Sequence, residues 1–259
     1  MSRTFVIDCF PESAERYPDP YAVVAIDVIR ATTTATTAVH SGRRVFPARA
    51  TDDALVTAAS LDRPLLVGEL GGNMCYGFDL TNSPVQINQR TDTERPMVLV
   101  SSSGTQLILN AADTAAAVYL ACLRNYSAVA RFLSGRHAQV AILGAGTRGQ
   151  FRREDQIGCA RVGEQLLALG YRAEDQATLE YIERWRGASL EAIRDGKSAD
   201  YLRRSQQEHD LEFVLTHVDD IQTVPWLVTC ELVDASRQCA VGPQDTLVAA
   251  TAWQTSGVQ

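Results

Sequence analysis

Short apolar runs alternating with stretches of helical period constrain this chain most. Seven such runs occur up to Gly146: TFVID, YAVVAID, RVFPA, PLLVGE, PMVLVSS, AAVYLAC and AQVAILGAG. Each is rich in Val, Ile, Leu or Ala, and each ends in small or polar residues. Between them lie DDALVTAASL, GTQLILNAAD, SAVARFLSG and EDQIGCARVGEQLLALG. In the last of these, Ile157, Val162, Leu166 and Leu169 recur at three- to five-residue steps, roughly a helical stripe. A strand that is apolar along its whole length must be covered on both faces, and helical connectors join parallel neighbours. The pattern predicts an α/β sheet, largely parallel, with helices on both sides.

Residues 170–215 read differently. They are charged and helical in period, with no convincing strand. SLEAIRDG and SADYLRRSQQEHDLEFVLTHV read as consecutive helices, with Ser189 and Ser198 as N-caps and Gly196 as a stop. VPWLVTCELVD reads as a late strand. There is no low-complexity linker and no repeat, so 1–259 reads as a single domain with a helical excursion in its second half.

The net charge of -7 argues against a general nucleic-acid footprint, while leaving room for a local basic pocket. The six cysteines, at 9, 75, 122, 159, 230 and 239, form no CxxC pair and read as reduced, mostly buried residues. The four histidines form no HExxH. The N-terminal apolar patch is too short for a signal segment, and no run is long enough to span a membrane. The cytoplasm is the default location. A homo-oligomer is compatible with the sequence.

Ligands of open α/β sheets bind outside the carboxyl ends of the strands. Four predicted strand ends carry chemistry. Asp27, Arg30 and the threonines at 32, 33, 34, 36 and 37 follow YAVVAI. Gly68, Glu69 and a glycine pair at 71–72 follow PLLV. SSSGT, residues 101–105, follows MVLV. GAGTRG, residues 144–149, follows VAIL and is itself followed by Glu154 and Asp155. Glycine-hydroxyl turns that open helices suit an anion, because backbone N–H groups and the positive helix end face it. Taken singly, each turn is equally an ordinary cap. Gly144, Gly146 and Gly149 fit GxGxxG spacing, but no dinucleotide-specific acid follows, so a nucleotide-dependent oxidoreductase is a weak reading.

Within the threonine run, Thr34, Thr36 and Thr37 are expected to pack, with hydroxyls bonded back to carbonyls. Thr32 and Thr33, nearer the strand end, are expected to meet a ligand. Arg30 offers a forked contact to phosphate or sulfonate, or else a surface ion pair. Asp27, Glu69, Asp79 and Asp155 lie at or just beyond strand ends. Clustered carboxylates repel unless a cation, a proton or a base intervenes. Carboxylates with water and substrate oxygens suit Mg²⁺. For any one of these acids, capping or solvation serves equally well.

These residues carry a resemblance to the 2-phosphosulfolactate phosphatase family, associated with coenzyme M synthesis. The match runs through IDVIRATTT (26–34), GELGG (68–72), GFDLTNSP (77–84), SSSGT (101–105), RNYSAVA (124–130), GAGT (144–147) and EDQIGCA (154–160). The resemblance implies a three-layer α/β/α fold with a mixed, mainly parallel sheet. It also implies a Mg²⁺-dependent hydrolase that converts 2-phospho-3-sulfolactate to 3-sulfolactate and phosphate. The chain departs from the family's GERGG at Leu70, which removes a guanidinium. It departs from GFDLGNSP at Thr81, and from a Thr-Thr-Asn-Gly-Thr-like turn at Ser101, Ser102 and Ser103.

The expected site follows. Asp27, Glu69 and Asp155 are the catalytic acids, and with Asp79 they are the pool of Mg²⁺ ligands. Arg30, Thr32, Thr33, the turn Ser102, Ser103, Gly104 and Thr105, and the turn Gly144, Ala145, Gly146 and Thr147 hold a small anionic phosphate ester. Asn82 and Ser83 support the site or cap the next helix. A non-catalytic binder of an anionic metabolite is the rival reading; it would keep the turns and Arg30 without a working metal site.

Overall fold

Alternate residues of the apolar runs enter different cores, and this sets the architecture. A computed structural model of the chain describes residues 2–147 and 149–238. The first half contains β1 (Thr4–Cys9), β2 (Tyr21–Ile26), α1 (Ala31–His40), β3 (Val45–Ala48), α2 (Thr51–Ala59), β4 (Leu65–Leu70), β5 (Asn73–Met74), α3 (Pro84–Asn88), β6 (Met97–Val100), α4 (Gly104–Ala112) and β7 (Ala117–Ala121). The second half contains α5 (Tyr126–Leu133), β8 (Gln139–Gly144), α6 (Arg153–Ala168), β9 (Arg172–Ala173), α7 (Gln176–Trp185), α8 (Glu191–Arg194), α9 (Lys197–Arg204), α10 (Glu208–Thr216), β10 (Pro225–Val228), β11 (Glu231–Asp234) and α11 (Ala235–Gln238).

On β2, Val24 and Ile26 pack with Val129 and Leu133 of α5 and Val162 and Leu166 of α6. Val23 and Ala25 point the other way, toward Ala35 and Ala38 of α1 and Leu107 and Ile108 of α4. A smaller core, including Phe46, Ala54, Val98 and Val100, lies at the α2 end. The chain is therefore α/β with helices on both faces of one sheet, as its apolar runs predict.

The strand order is β5-β4-β6-β3-β11-β10-β7-β2-β8-β1-β9. The blocks β4-β6-β3 and β7-β2-β8-β1-β9 are parallel. Between them sits an antiparallel hairpin, β10–β11. VPWLVTCELVD is thus two strands rather than one. The chain reverses at Thr229 and Cys230, with Thr229 at φ 56. Residues 170–215 are mostly helical, as expected, and their one strand, β9, is a two-residue edge. Ser198 is not a cap: it lies inside α9, whose N-cap is Gly196. Ser189 accepts the Glu191 N–H at 3.2 Å, one residue before the N-cap of α8. Cys9, Cys75, Cys122 and Cys159 are buried free thiols and Cys230 is exposed, while Cys239 lies outside the described residues.

Candidate active site

Strands β2 and β8 end side by side in one parallel block, and β4 and β6 in the other. Ile26 is in register with Gly144, and Gly68 with Val100. Three antiparallel pairings separate the two blocks, which therefore run in opposite directions, so strand direction alone does not put Asp27 and Gly144 on one edge with Glu69 and Ser102. The start of α4 brings them together, with Gly104 against Asp27. A cavity of about 920 Å³ opens there, lined by Asp27, Glu69, Arg30, Ser102, Ser103, Ala145 and Thr147 among others.

Asp27 is buried at the end of β2 and faces the start of α4. The approach is close: a Cβ on Gly104 would lie 2.4 Å from Asp27 Oδ2 and 2.5 Å from Ala31 Cβ. Only glycine lets α4 begin against this carboxylate. Glu69 is held by the opposing turn. Its Oε1 accepts the Ser102 N–H at 2.9 Å, and its Oε2 accepts the Gly72 N–H at 2.6 Å and the Ser102 hydroxyl at 3.1 Å. Ser102 Oγ in turn accepts the Gly71 N–H at 2.7 Å. The SSSGT turn thus fixes an acid as well as opening a helix whose first amides lack helical partners. Thr105 closes the turn by bonding to Ser101 O at 2.9 Å.

Burial first, and then the Glu69 charge, push the Asp27 carboxyl up to about 7. Behind it, burial, Asp27 and Glu154 push Asp155 well above the usual carboxylate range. Burial raises Glu154 as well, against the pull of Ser198, Arg152 and Arg153.

Several expected ligands belong to the scaffold instead. Asp155 does not line the cavity. Its Oδ1 accepts the Val28 N–H at 2.8 Å and its Oδ2 the Gly146 N–H at 3.1 Å, so it pins two strand ends together. Asp79 lies elsewhere, half-exposed, accepting the Leu66 N–H at 2.9 Å with Arg95 3.9 Å away. Thr32 and Thr33 are also turned inward. Thr32 Oγ1 accepts the Asp27 N–H at 3.0 Å and lies 2.8 Å from Ala121 O and 2.9 Å from Asp27 O. Thr33 donates to Val28 O at 2.8 Å, and Thr37 to Thr33 O at 2.7 Å. All five threonines are buried because α1 is enclosed, and the hydroxyls of Thr32, Thr33, Thr34 and Thr37 take backbone carbonyls, while Thr36 Oγ1 is left without a hydrogen-bond partner. Gly144 and Gly146 shape the β8 turn, while Ala145 and Thr147 reach the cavity; Arg148 of this motif lies outside the described residues.

Arg30 lines the cavity but is not a surface residue. One terminal nitrogen, Nη1, donates to Asp210 Oδ2 at 2.6 Å and to Gln207 Oε1. Asp210 Oδ1 also accepts the Ser83 hydroxyl at 2.6 Å. Ser83 caps α3, accepting the Gln86 N–H at 3.2 Å, and Asn82 beside it lines the cavity with its Oδ1 unpartnered. The two alternatives for this pair therefore divide between the two residues.

The helical excursion supplies a wall that the sequence did not reveal. Lys197, Asp200, Tyr201 and Arg204 all line the cavity. Their i, i+3, i+4, i+7 spacing puts them on one face of α9, while buried Ala199 and Leu202 face the core. Tyr201 donates to Gly72 O, closing α9 over the Glu69 turn. The periodic signal was present, but a charged helical stripe ordinarily faces water.

Among the described residues, no three His, Cys, Asp or Glu side chains form a metal cage. The Asp27–Glu69 pair still suits Mg²⁺, which keeps several waters and takes one or two carboxylates plus substrate oxygens. The Glu69 charge raises the proton affinity of Asp27 beside the cavity, and the two acids are a donor pair that fits such an ion.

Fold and cleft together define an α/β enzyme that sets carboxylates, an open helix start and cationic side chains around one small-molecule cavity. The family model described as 2-phosphosulpholactate phosphatase matches residues 9–229. A relative from Deinococcus radiodurans named "Probable 2-phosphosulfolactate phosphatase" is 35% identical over 233 residues, covering 88% of this chain and 95% of its own. One of the same name from Caldanaerobacter subterraneus is 31% identical over 211 residues, covering 79% and 87%. The chain belongs to the 2-phosphosulfolactate phosphatase family, which are phosphoric monoester hydrolases.

Proposed function

We propose that this chain hydrolyses 2-phospho-3-sulfolactate to 3-sulfolactate and phosphate, with Mg²⁺ held by Asp27 and Glu69. The observation that carries the reading is the convergence of these two acids with the start of α4 in one cavity. The ion would neutralise phosphoryl oxygens and orient water when bound. The chain's own residues do the positioning. The α4 start at Ser103 receives the phosphoryl oxygens, Ser102 being held by Glu69, and the partly engaged Arg30 guanidinium adds a directional cation. Asp210 and Gln207 keep that guanidinium in place. Asp27 carries a proton near neutrality and must release it before it can hold a cation, so proton and ion compete for one carboxylate.

The location follows the same reading: a cytoplasmic step, within coenzyme M synthesis. The test is phosphate release from racemic 2-phospho-3-sulfolactate, with and without Mg²⁺. Turnover that chelation removes and Mg²⁺ restores is expected, with the apparent Mg²⁺ requirement falling as pH rises toward about 7. Turnover unaffected by exhaustive chelation would remove the metal from the reading, and no phosphate release would remove the substrate.

A further inference from the structure

The Arg152 guanidinium lines the cavity and has no hydrogen bond or ion pair among the described residues, and its Nε is buried without a partner. Its charge acts at a distance on the buried Glu154 carboxylate, but among the described residues it has no hydrogen-bonded acceptor, so this partly buried guanidinium keeps its donors for an anion in the cleft. Nearby stands Lys197, the sole lysine of the chain. It opens α9 on the face turned to the cavity and donates to Gln150 Oε1 at 2.7 Å, two residues before Arg152. Two cations from different elements are thus brought to one wall. Arg30, which lies with the acids of the phosphoryl site, is already tied to Asp210.

We propose that Arg152 and Lys197 form a second-anion subsite that takes the sulfonate of the substrate, leaving the phosphoryl group to Asp27, Glu69 and α4. This rests on the phosphosulfolactate reading and adds to it the residues that set selectivity. A sulfonate presents three oxygens in a tetrahedral array, which a fork from one side and an ammonium from another can share. The pair acts on substrate choice rather than on the breaking bond.

The experiment compares three phosphate esters: 2-phospho-3-sulfolactate, 2-phosphoethanesulfonate, which keeps the sulfonate alone, and 2-phospholactate, which keeps the carboxylate alone. Steady-state kinetics are measured for wild type, Arg152→Gln and Lys197→Ala, with thermal unfolding as the folding check. In wild type, kcat/KM should favour the sulfonate esters. In each variant that preference should fall at least tenfold, through KM. A preference that survives in both folded variants, or equal losses on all three esters, overturns the subsite. If wild type hydrolyses neither sulfonate ester, the phosphosulfolactate reading fails by itself. The subsite is then read from thermal shift with 3-sulfolactate, which should raise the wild-type midpoint and not that of Lys197→Ala. Equal shifts, or none, overturn it as well.

Discussion

Asp27 is the residue at which stability and function oppose each other. Its folded-state pKa of about 7 lies above its ordinary 3.8, so the folded protein binds the proton more tightly than the unfolded chain. The sign follows: wild-type stability falls as pH rises from about 4 through about 7, because burying the ionised form costs free energy. Asp27→Asn should therefore match wild type below pH 4 and exceed it above pH 7, by on the order of 4 kcal/mol. Denaturant unfolding across that range checks this, and wild type growing more stable over the same window would refute it. Turnover should drop at least a hundredfold in the same variant. At Gly104 the steric argument is stronger still. A methyl group placed 2.4 Å from Asp27 Oδ2 cannot be accommodated without moving α4 or the acid. Gly104→Ala should abolish most turnover, and near-normal kinetics would show that the α4 approach is dispensable.

Among the elements, α10 holds the site from behind. Asp210 is wholly buried and joins Arg30 at the start of α1 to Ser83 at the start of α3. Asp210→Ala leaves a buried guanidinium without its counter-charge, which should cost about 3–5 kcal/mol. Thr32→Val removes one hydroxyl from the Asp27 N–H, a loss of about 1–3 kcal/mol, and should leave KM near wild type because that hydroxyl faces the backbone. Chemical denaturation with kinetics on both variants separates them. A large KM effect in a well-folded Thr32→Val protein would return Thr32 to the binding site. The contrast also shows what the sequence could and could not express. Apolar period located the strands and the strand ends carrying Asp27 and Glu69, because strand ends are local features, whereas the meeting of the two across oppositely directed blocks depends on the whole sheet. Whether Thr32 points at a ligand or at Ala121 depends on β7, 89 residues away. Asp155 and Asp79 likewise carry the right chemistry at strand ends, and only packing decides that they hold backbone amides. The cavity face of α9 was hidden because Lys197 and Arg204 look like solvent contacts until the fold lays the helix over the Glu69 turn. The hairpin was missed because Thr229 and Cys230 are poor turn signals beside Asn-Gly or Gly-rich pairs.

For the molecule as a whole, the β10–β11 hairpin joins two parallel blocks that otherwise do not pair. The joints are slender: Leu232 with Val45 on one side, and Trp226 with Tyr119 on the other, where the rings stack at 6.2 Å. Leu227 and Leu232 complete the core under α1 and α4. A chain ending at Thr223 should fail to give a cooperative unfolding transition and should aggregate; a soluble, cooperatively melting product would show that the blocks stand alone. The placement also bears on the order of synthesis. A ribosome delivers β3 and β7 long before the strands that must lie between them. Until residues 225–234 emerge, each block carries a bare strand edge, the surface through which nascent chains mispair with one another. Slow elongation over residues 120–224 would lengthen that exposure, so the yield of native protein should depend on translation speed in that stretch and on chaperones that cover open edges.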